Sequence, residues 1–261
     1  QVVFIHEKKK DSLHRKLDLL TDVRFFILDD DQTDIYDFLK EHDPGFNELP
    51  KYRLDDLSQI TREIESMIGT SIPEIKGLVL AGGKSTRMGQ DKGEINYHGK
   101  PQRNFMADLL TSLCGKACIS TQGDEVVDSY PVIKDTFTGL GPFGGILSAF
   151  REDPACAWLT VATDIPLVNE EVLNQLIAQR DPNKMATCFH NPETEFPEPL
   201  ITLWEPKAYP RLLHFLSLGY SCPRKVLINS EVNEIHLDNP EVLFNANTPE
   251  EMQTAMDKIN G

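Results

Sequence analysis

The chain has 261 residues, 40% of them hydrophobic, enough to bury a sizeable core in one large domain or in one domain and part of another. Forty-one acidic against twenty-six basic residues leave a formal net charge of −15, which repels nucleic-acid backbones and anionic lipid surfaces and points to small-molecule partners. A small anionic substrate stays within reach, because local cations, backbone amides and a bound metal can override the field of the whole molecule. The five cysteines, Cys114, Cys118, Cys156, Cys188 and Cys222, are odd in number and lack C-x-x-C spacing, so neither a disulfide framework nor a structural zinc site is indicated. Reduced thiols, the lack of an apolar run of membrane-spanning length and the lack of a signal peptide give a cytoplasmic expectation.

In chain order, Val2 to Ile5 reads as a short strand, in a chain that opens at Gln1 in the manner of a fragment. Ser12 to Leu20 reads as an amphipathic helix and Val23 to Leu28 as a second strand. Ile35 to Lys40 and Leu57 to Ile68 follow with helical spacing. Residues 1–70 are therefore expected to form a small, partial α/β segment with no phosphate loop of its own. Gly69-Thr70-Ser71-Ile72-Pro73 reads as a break, placing a linker over 71–74.

A second alternation begins at Ile75 and runs over 75–261. Strands are expected at Ile75 to Leu80, Ala117 to Ser120, Val132 to Lys134, Ala157 to Ala162, Met185 to Phe189 and Pro199 to Trp204. Helices fit at Phe105 to Leu113, Gly144 to Arg151, Glu170 to Gln179 and Pro206 to Leu218. The pattern is that of an α/β, doubly wound, mostly parallel sheet, in which ligands sit beyond the carboxyl ends of the strands.

Leu80-Ala81-Gly82-Gly83-Lys84-Ser85-Thr86-Arg87-Met88-Gly89-Gln90-Asp91-Lys92 is the most informative stretch. Consecutive glycines after a buried strand let backbone N–H groups approach a phosphate, and Lys84, Arg87 and Lys92 supply three cations in one loop. A Walker A motif fails on spacing, because Gly77 to Gly83 leaves five residues where four are needed, and G-x-G-x-x-G is absent. Asp164 ends the apolar strand Ala157 to Ala162, a position from which a carboxylate can hold Mg²⁺ while phosphate oxygens and waters complete the octahedron. Asp135 follows Val132 to Lys134 in the same manner. Gly141-Pro142-Phe143-Gly144-Gly145 precedes a helix whose first N–H groups suit a phosphate, although a tight turn explains the same glycines. Thr248-Pro249-Glu250-Glu251 is a capping box, which Asn245 and Asn247 are not needed to form.

The stretch from Leu80 to Lys92 resembles the signature of the MobA-like molybdenum cofactor guanylyltransferases. Gly99-Lys100-Pro101, Gly141 to Gly145, Thr163-Asp164-Ile165-Pro166, Glu198-Pro199-Leu200 and Asn245 to Pro249 follow in that family's order. The resemblance implies a Rossmann-like nucleotidyltransferase domain that uses Mg²⁺ and joins GMP from GTP to molybdopterin. It implies that Leu80, Ala81, Gly82, Gly83 and Lys92 contact GTP, with Arg87 at the phosphates and Arg87, Lys92 and Asp164 as the catalytic set. By the same resemblance Asp164 is the magnesium ligand, Asp135 and Gln122 are nucleotide contacts, and Gly144, Gly145, Asn245 and Asn247 belong to the acceptor side. Gln122 departs from the Asn common in the family. The expected partners are GTP and molybdopterin, with a molybdoenzyme or accessory protein as a macromolecular partner and no nucleic acid or membrane. Leu80-Ala81-Gly82-Gly83 separates the chain from the Leu-Ala-Ala-Gly pattern of the related cytidylyltransferases; these, sugar-phosphate nucleotidyltransferases and a non-catalytic GTP-binding adaptor are the alternative readings. Residues 1–70 resemble, more weakly, the later half of the MobB-like accessory protein.

Overall fold

The computed structural model describes residues 5, 16–18, 20–29, 31–82, 91–123 and 130–261. The expected strand at 2–5 and most of the helix expected at 12–20 lie outside the described residues. The chain divides into two compact units, Gln1–Ile72 and Pro73–Gly261.

In the first unit, strand β1 (Phe26–Leu28) pairs in parallel with β2 (Lys51–Arg53), and helices α1 (Asp37–His42) and α2 (Leu57–Ser71) accompany them. Leu28, Ile35, Leu39 and Phe46 form its core. β2 escaped the pattern reading because Lys-Tyr-Arg offers three residues, two of them charged, with no apolar alternation to detect. Helix α2 carries on through Gly69, Thr70 and Ser71, beyond the break expected there. A glycine costs a helix only about 1 kcal/mol, whereas Pro73 removes a donor and disfavours helical backbone at Ile72, which is extended (φ −66°, ψ 118°).

The second unit is a seven-stranded sheet in the order β5-β4-β3-β6-β8-β7-β9. Its strands are β3 (Ile75–Leu80), β4 (Ala117–Thr121), β5 (Val132–Lys134), β6 (Ala157–Ala162), β7 (Ala186–Asn191), β8 (Phe196–Trp204) and β9 (Asn233–Ile235). β3 pairs in parallel with both β4 and β6, while β8 runs antiparallel to β6 and β7. The helices are α3 (Gln102–Cys114), α4 (Pro142–Glu152), α5 (Glu170–Ala178), α6 (Ala208–Ser217), α7 (Pro223–Ile228) and α8 (Pro249–Asn260).

Side chains along the central strands alternate between two cores, as the period of a strand buried on both faces requires. Val79, Leu159 and Val161 join Met106 and Leu110 of α3 and Leu173 and Leu176 of α5. Leu78, Leu80 and Trp158 join Phe143, Ile146 and Phe150 of α4 and Leu212 of α6 on the other face. Chain order reverses about β3, with β4 on one side and β6 on the other, so the crevice beyond Leu80 is the topological switch point at which open α/β sheets hold ligands.

Two buried polar features make opposite stability predictions. Arg180 clamps Glu205, which is 1% exposed, through Nε–Oε1 at 2.7 Å and Nη2–Oε2 at 2.8 Å, and its Nη1 donates to the Pro73 carbonyl at 2.9 Å. Arg180→Ala strands that carboxylate and should cost about 3–5 kcal/mol in urea unfolding, with Arg180→Met/Glu205→Leu recovering most of the loss. Gln102 is fully buried, and among the described residues neither of its amide atoms has a partner. Gln102→Met removes that desolvation penalty at similar volume and should stabilise the fold by roughly 1 kcal/mol, read as a higher thermal midpoint.

Candidate active site

Leu80, Ala81 and Gly82 lie at the end of β3 and form one wall of an open cleft. Ser120, Asp135, Thr163, Asp164 and Lys92 also line it, each at or just beyond a strand end except Lys92. A Cβ on Gly82 would stand 3.0 Å from Gln122 Cγ and 3.2 Å from Asp135 Oδ2, a tight fit where three strand ends approach one another. Gln122 thus lies against the turn that follows β3. Gly83, Lys84 and Arg87 lie outside the described residues.

Lys92 is held by a local device. Asp91 caps the short 3₁₀ turn Lys92–Glu94 by accepting from Gly93 N at 2.9 Å, and Arg103 bridges Asp91 and Glu94 from helix α3. The turn directs Lys92 Nζ to Asn247 Oδ1 at 2.6 Å and to Asp164 Oδ2 at 3.5 Å.

Asp164 follows β6, every residue of which is buried. The segment from Asn245 to Asn247 is laid directly on it. Ala246 N donates to the Asp164 carbonyl at 2.8 Å, and Asn245, with its amide nitrogen turned inward, donates to Asp164 Oδ2 at 3.2 Å and to the same carbonyl at 3.1 Å. The capping box of α8 holds that segment, since Glu251 accepts from both Asn247 N (2.7 Å) and Thr248 N (3.0 Å). Asn245 and Asn247 therefore meet the aspartate and the lysine that the sequence reading placed on the nucleotide side.

Burial pushes the Asp164 carboxyl above the usual carboxylate range, with Lys92 pulling the other way. Its second oxygen, Oδ1, is buried and has no hydrogen-bond partner among the described residues. A sheltered carboxylate facing a cleft with one oxygen unsatisfied suits a hard cation such as Mg²⁺, which takes one or two protein carboxylates and fills its octahedron with phosphate oxygens and waters. No group of three or more His, Cys, Asp or Glu side chains that could hold a metal exists among the described residues.

Asp135, only 4% exposed, accepts from Ser120 Oγ at 2.5 Å; burial raises its pKa and the serine hydroxyl lowers it. Gly144 and Gly145 are buried in the first turn of α4, and their N–H groups both donate to the Gly141 carbonyl (2.9 and 3.4 Å). Their lack of a side chain has a packing cause, because added Cβ atoms would stand 2.3 Å from Phe137 O and 2.5 Å from Ser120 Oγ. Glu198 is likewise enclosed, bonded to Asn191 Nδ2 (3.0 Å) and Leu200 N (3.1 Å).

Sequence reasoning missed Ser120, Tyr97 and His98. Tyr97 packs with Ile95, Ala246 and Ala255, and its hydroxyl is pushed up to about 12 by burial and by the Asp164 charge. His98 stacks on Phe105 with ring centroids 3.8 Å apart and its Nε2 meets the Pro166 carbonyl at 2.9 Å, tying down the turn that carries Asp164. Each relies on a contact distant in sequence, and Tyr97-His98 sits in no motif that marks it.

A switch-point cleft with a glycine turn, a lysine and a strand-end aspartate defines a nucleotidyltransferase-type α/β protein. Residues 77–233 match the MobA-like NTP transferase domain, and the chain belongs to that family. It is 35% identical over 179 residues to the molybdenum cofactor biosynthesis bifunctional protein of Synechocystis sp., an alignment covering 67% of this chain and 52% of that protein. The chain thus spans about half the length of that relative. It is 30% identical over 183 residues to the molybdenum cofactor guanylyltransferase of Vibrio cholerae, covering 67% of this chain and 88% of the relative. The solved structure of molybdopterin-guanine dinucleotide biosynthesis protein A from Archaeoglobus fulgidus shares the fold, with a TM-score of 0.61 at 22% identity over 71% of this chain and 98% of that one.

Proposed function

We propose that the chain transfers GMP from GTP to the terminal phosphate of molybdopterin and releases pyrophosphate. The observation that carries the reading is the Lys92–Asp164–Asn245–Asn247 constellation set beside Gly82 at the switch point. The names of the curated relatives supply the substrates.

In this reading a phosphate oxygen of the acceptor attacks the α-phosphorus of GTP in line, a P–O–P bond forms, and the bond from the α-phosphorus to the bridging oxygen breaks. The attacking monoester, with a second pKa near 6, is largely dianionic at neutral pH, so no strong general base is needed. Leu80, Ala81, Gly82 and Gly83 offer backbone to the nucleotide, and Gln122 and Asp135 contact it. Asp164 would hold Mg²⁺, which when bound supplies neutralisation of the triphosphate charge. Lys92 places a fixed ammonium beside Asp164, and Arg87 adds a second cation from the same loop. Asn245 and Asn247 orient the acceptor from the far side of Asp164, whereas Gly144 and Gly145 act through packing.

Equilibrium competition of GTP, CTP and ATP against a fluorescent nucleotide, run with Mg²⁺, tests the base assignment. GTP should compete at least about tenfold better than CTP. Preference for CTP would assign a cytidylyl transfer instead, and GTP binding with no pyrophosphate release in the presence of molybdopterin would assign an adaptor.

A further inference from the structure

The buried face of helix α4 meets Thr136 and Phe137, the two residues after Asp135, and leaves room for the serine that bonds Asp135. A Cβ at Gly144 would stand 2.3 Å from the Phe137 carbonyl oxygen, so that glycine admits the backbone of residue 137. Ser148, one turn on, accepts from Thr136 N at 2.9 Å while donating to the Gly144 carbonyl at 2.7 Å. Gly145 leaves the space occupied by Ser120 Oγ, which lies 2.5 Å from where its Cβ would be. That hydroxyl, 1% exposed as part of Ser120, donates to Asp135 Oδ1 and is the one side chain among the described residues bonded to this carboxylate. The other oxygen, Oδ2, faces the nucleotide turn, 3.2 Å from the missing Cβ of Gly82.

We propose that Ser120 is a positioning residue for nucleotide selection, acting through Asp135, and that Gly145 is glycine to make room for its hydroxyl. A carboxylate locked at Oδ1 presents Oδ2, with its pair of lone-pair acceptor sites, to the turn in a fixed direction. Guanine offers adjacent N–H donors, N1–H and the 2-amino group, that match such a pair, while cytosine and adenine offer a single amino group on that edge. Released from Ser120, the Asp135 carboxylate rotates and the match is lost. The glycine pair then serves the nucleotide at one remove rather than the acceptor phosphate.

The inference rests on the guanylyltransferase reading, and its test separates the two. Ser120→Ala deletes one buried hydroxyl oxygen and leaves strand β4 intact. It should raise the KM for GTP roughly tenfold, a hydrogen bond to a charged group being lost. The preference for GTP over ITP, which lacks the 2-amino group, should fall several-fold, with kcat and the KM for molybdopterin within about twofold of the unaltered protein. Ser148→Ala, which frees Thr136 N and removes the bond to the Gly144 carbonyl without touching Asp135, should move the same quantities in the same direction by a smaller factor. An unchanged KM for GTP, an equal loss for GTP and ITP, or a change confined to molybdopterin would overturn the role of Ser120. If the unaltered protein transfers no GMP at all, the guanylyltransferase reading fails; calorimetric GTP and ITP affinities of the same variants then judge Ser120 alone.

Discussion

Asp164→Asn should lower guanylyl transfer by about 10³-fold or more while leaving the unliganded protein as stable as before, or more stable. The carboxylate is sheltered, its pKa is raised by burial, and one oxygen lacks a partner among the described residues, so in the absence of metal its charge is a burden on the fold. Asparagine keeps the shape and an acceptor for Asn245 but cannot neutralise a cation. Loss of metal-assisted charge stabilisation, worth several kcal/mol, corresponds to three or more decades in rate. The check is steady-state pyrophosphate release alongside a thermal melt of each protein without ligands. Activity within tenfold of the unaltered chain would remove Asp164 from the catalytic set.

Lys92→Ala should also lose about two to three decades in kcat, but with the opposite effect on stability. Lys92 Nζ lies 3.5 Å from Asp164 Oδ2 and 2.6 Å from Asn247 Oδ1, and truncating it leaves a sheltered carboxylate without its ammonium. For Asp164 the burial penalty outweighs the attraction of Lys92, so removing the lysine adds to that penalty, whereas neutralising the aspartate removes it and leaves the ammonium on Asn247 Oδ1. The two variants should therefore shift the unliganded melting temperature in opposite senses while both abolish turnover. Mg²⁺ should recover part of the lost stability of Lys92→Ala, because a cation bound in the folded state alone stabilises it by mass action. A Lys92→Ala protein with normal kcat would confine the lysine to holding Asn247 in place.

Much of this site could be read from local pattern. The six-residue strand Ile75–Leu80 closes on the apolar run Leu78-Val79-Leu80, its glycine turn follows at once, and Asp164 follows a second apolar strand, so pattern and punctuation sufficed to place them at neighbouring strand ends. The capping box at Thr248 is a four-residue signal and formed as such. What local pattern does not carry is the partner of each group. Lys92 and Asn247 are 155 residues apart, and Arg180 meets Glu205 across 25. Strand β9, Asn-Glu-Ile, is too short to show alternation and exists because β7 offers it an edge. Ser120 looks like any polar residue in a strand until Gly145 and Asp135 are seen on either side of it. Gly144 and Gly145 illustrate the converse: two glycines before a helix read as a phosphate cradle or a tight turn alike, and what they face, a carbonyl and a serine hydroxyl, is not written in the local pattern.

The central claim is the transfer of a guanylyl group, and following the α-phosphorus tests it most directly. The purified chain would be incubated with Mg²⁺, molybdopterin and GTP labelled at the α-phosphate, with labelled CTP in parallel. The expected result is label in a molybdopterin dinucleotide from GTP only, in step with pyrophosphate release. Label that stays in the free nucleotide, or that enters product from CTP in preference to GTP, would contradict it.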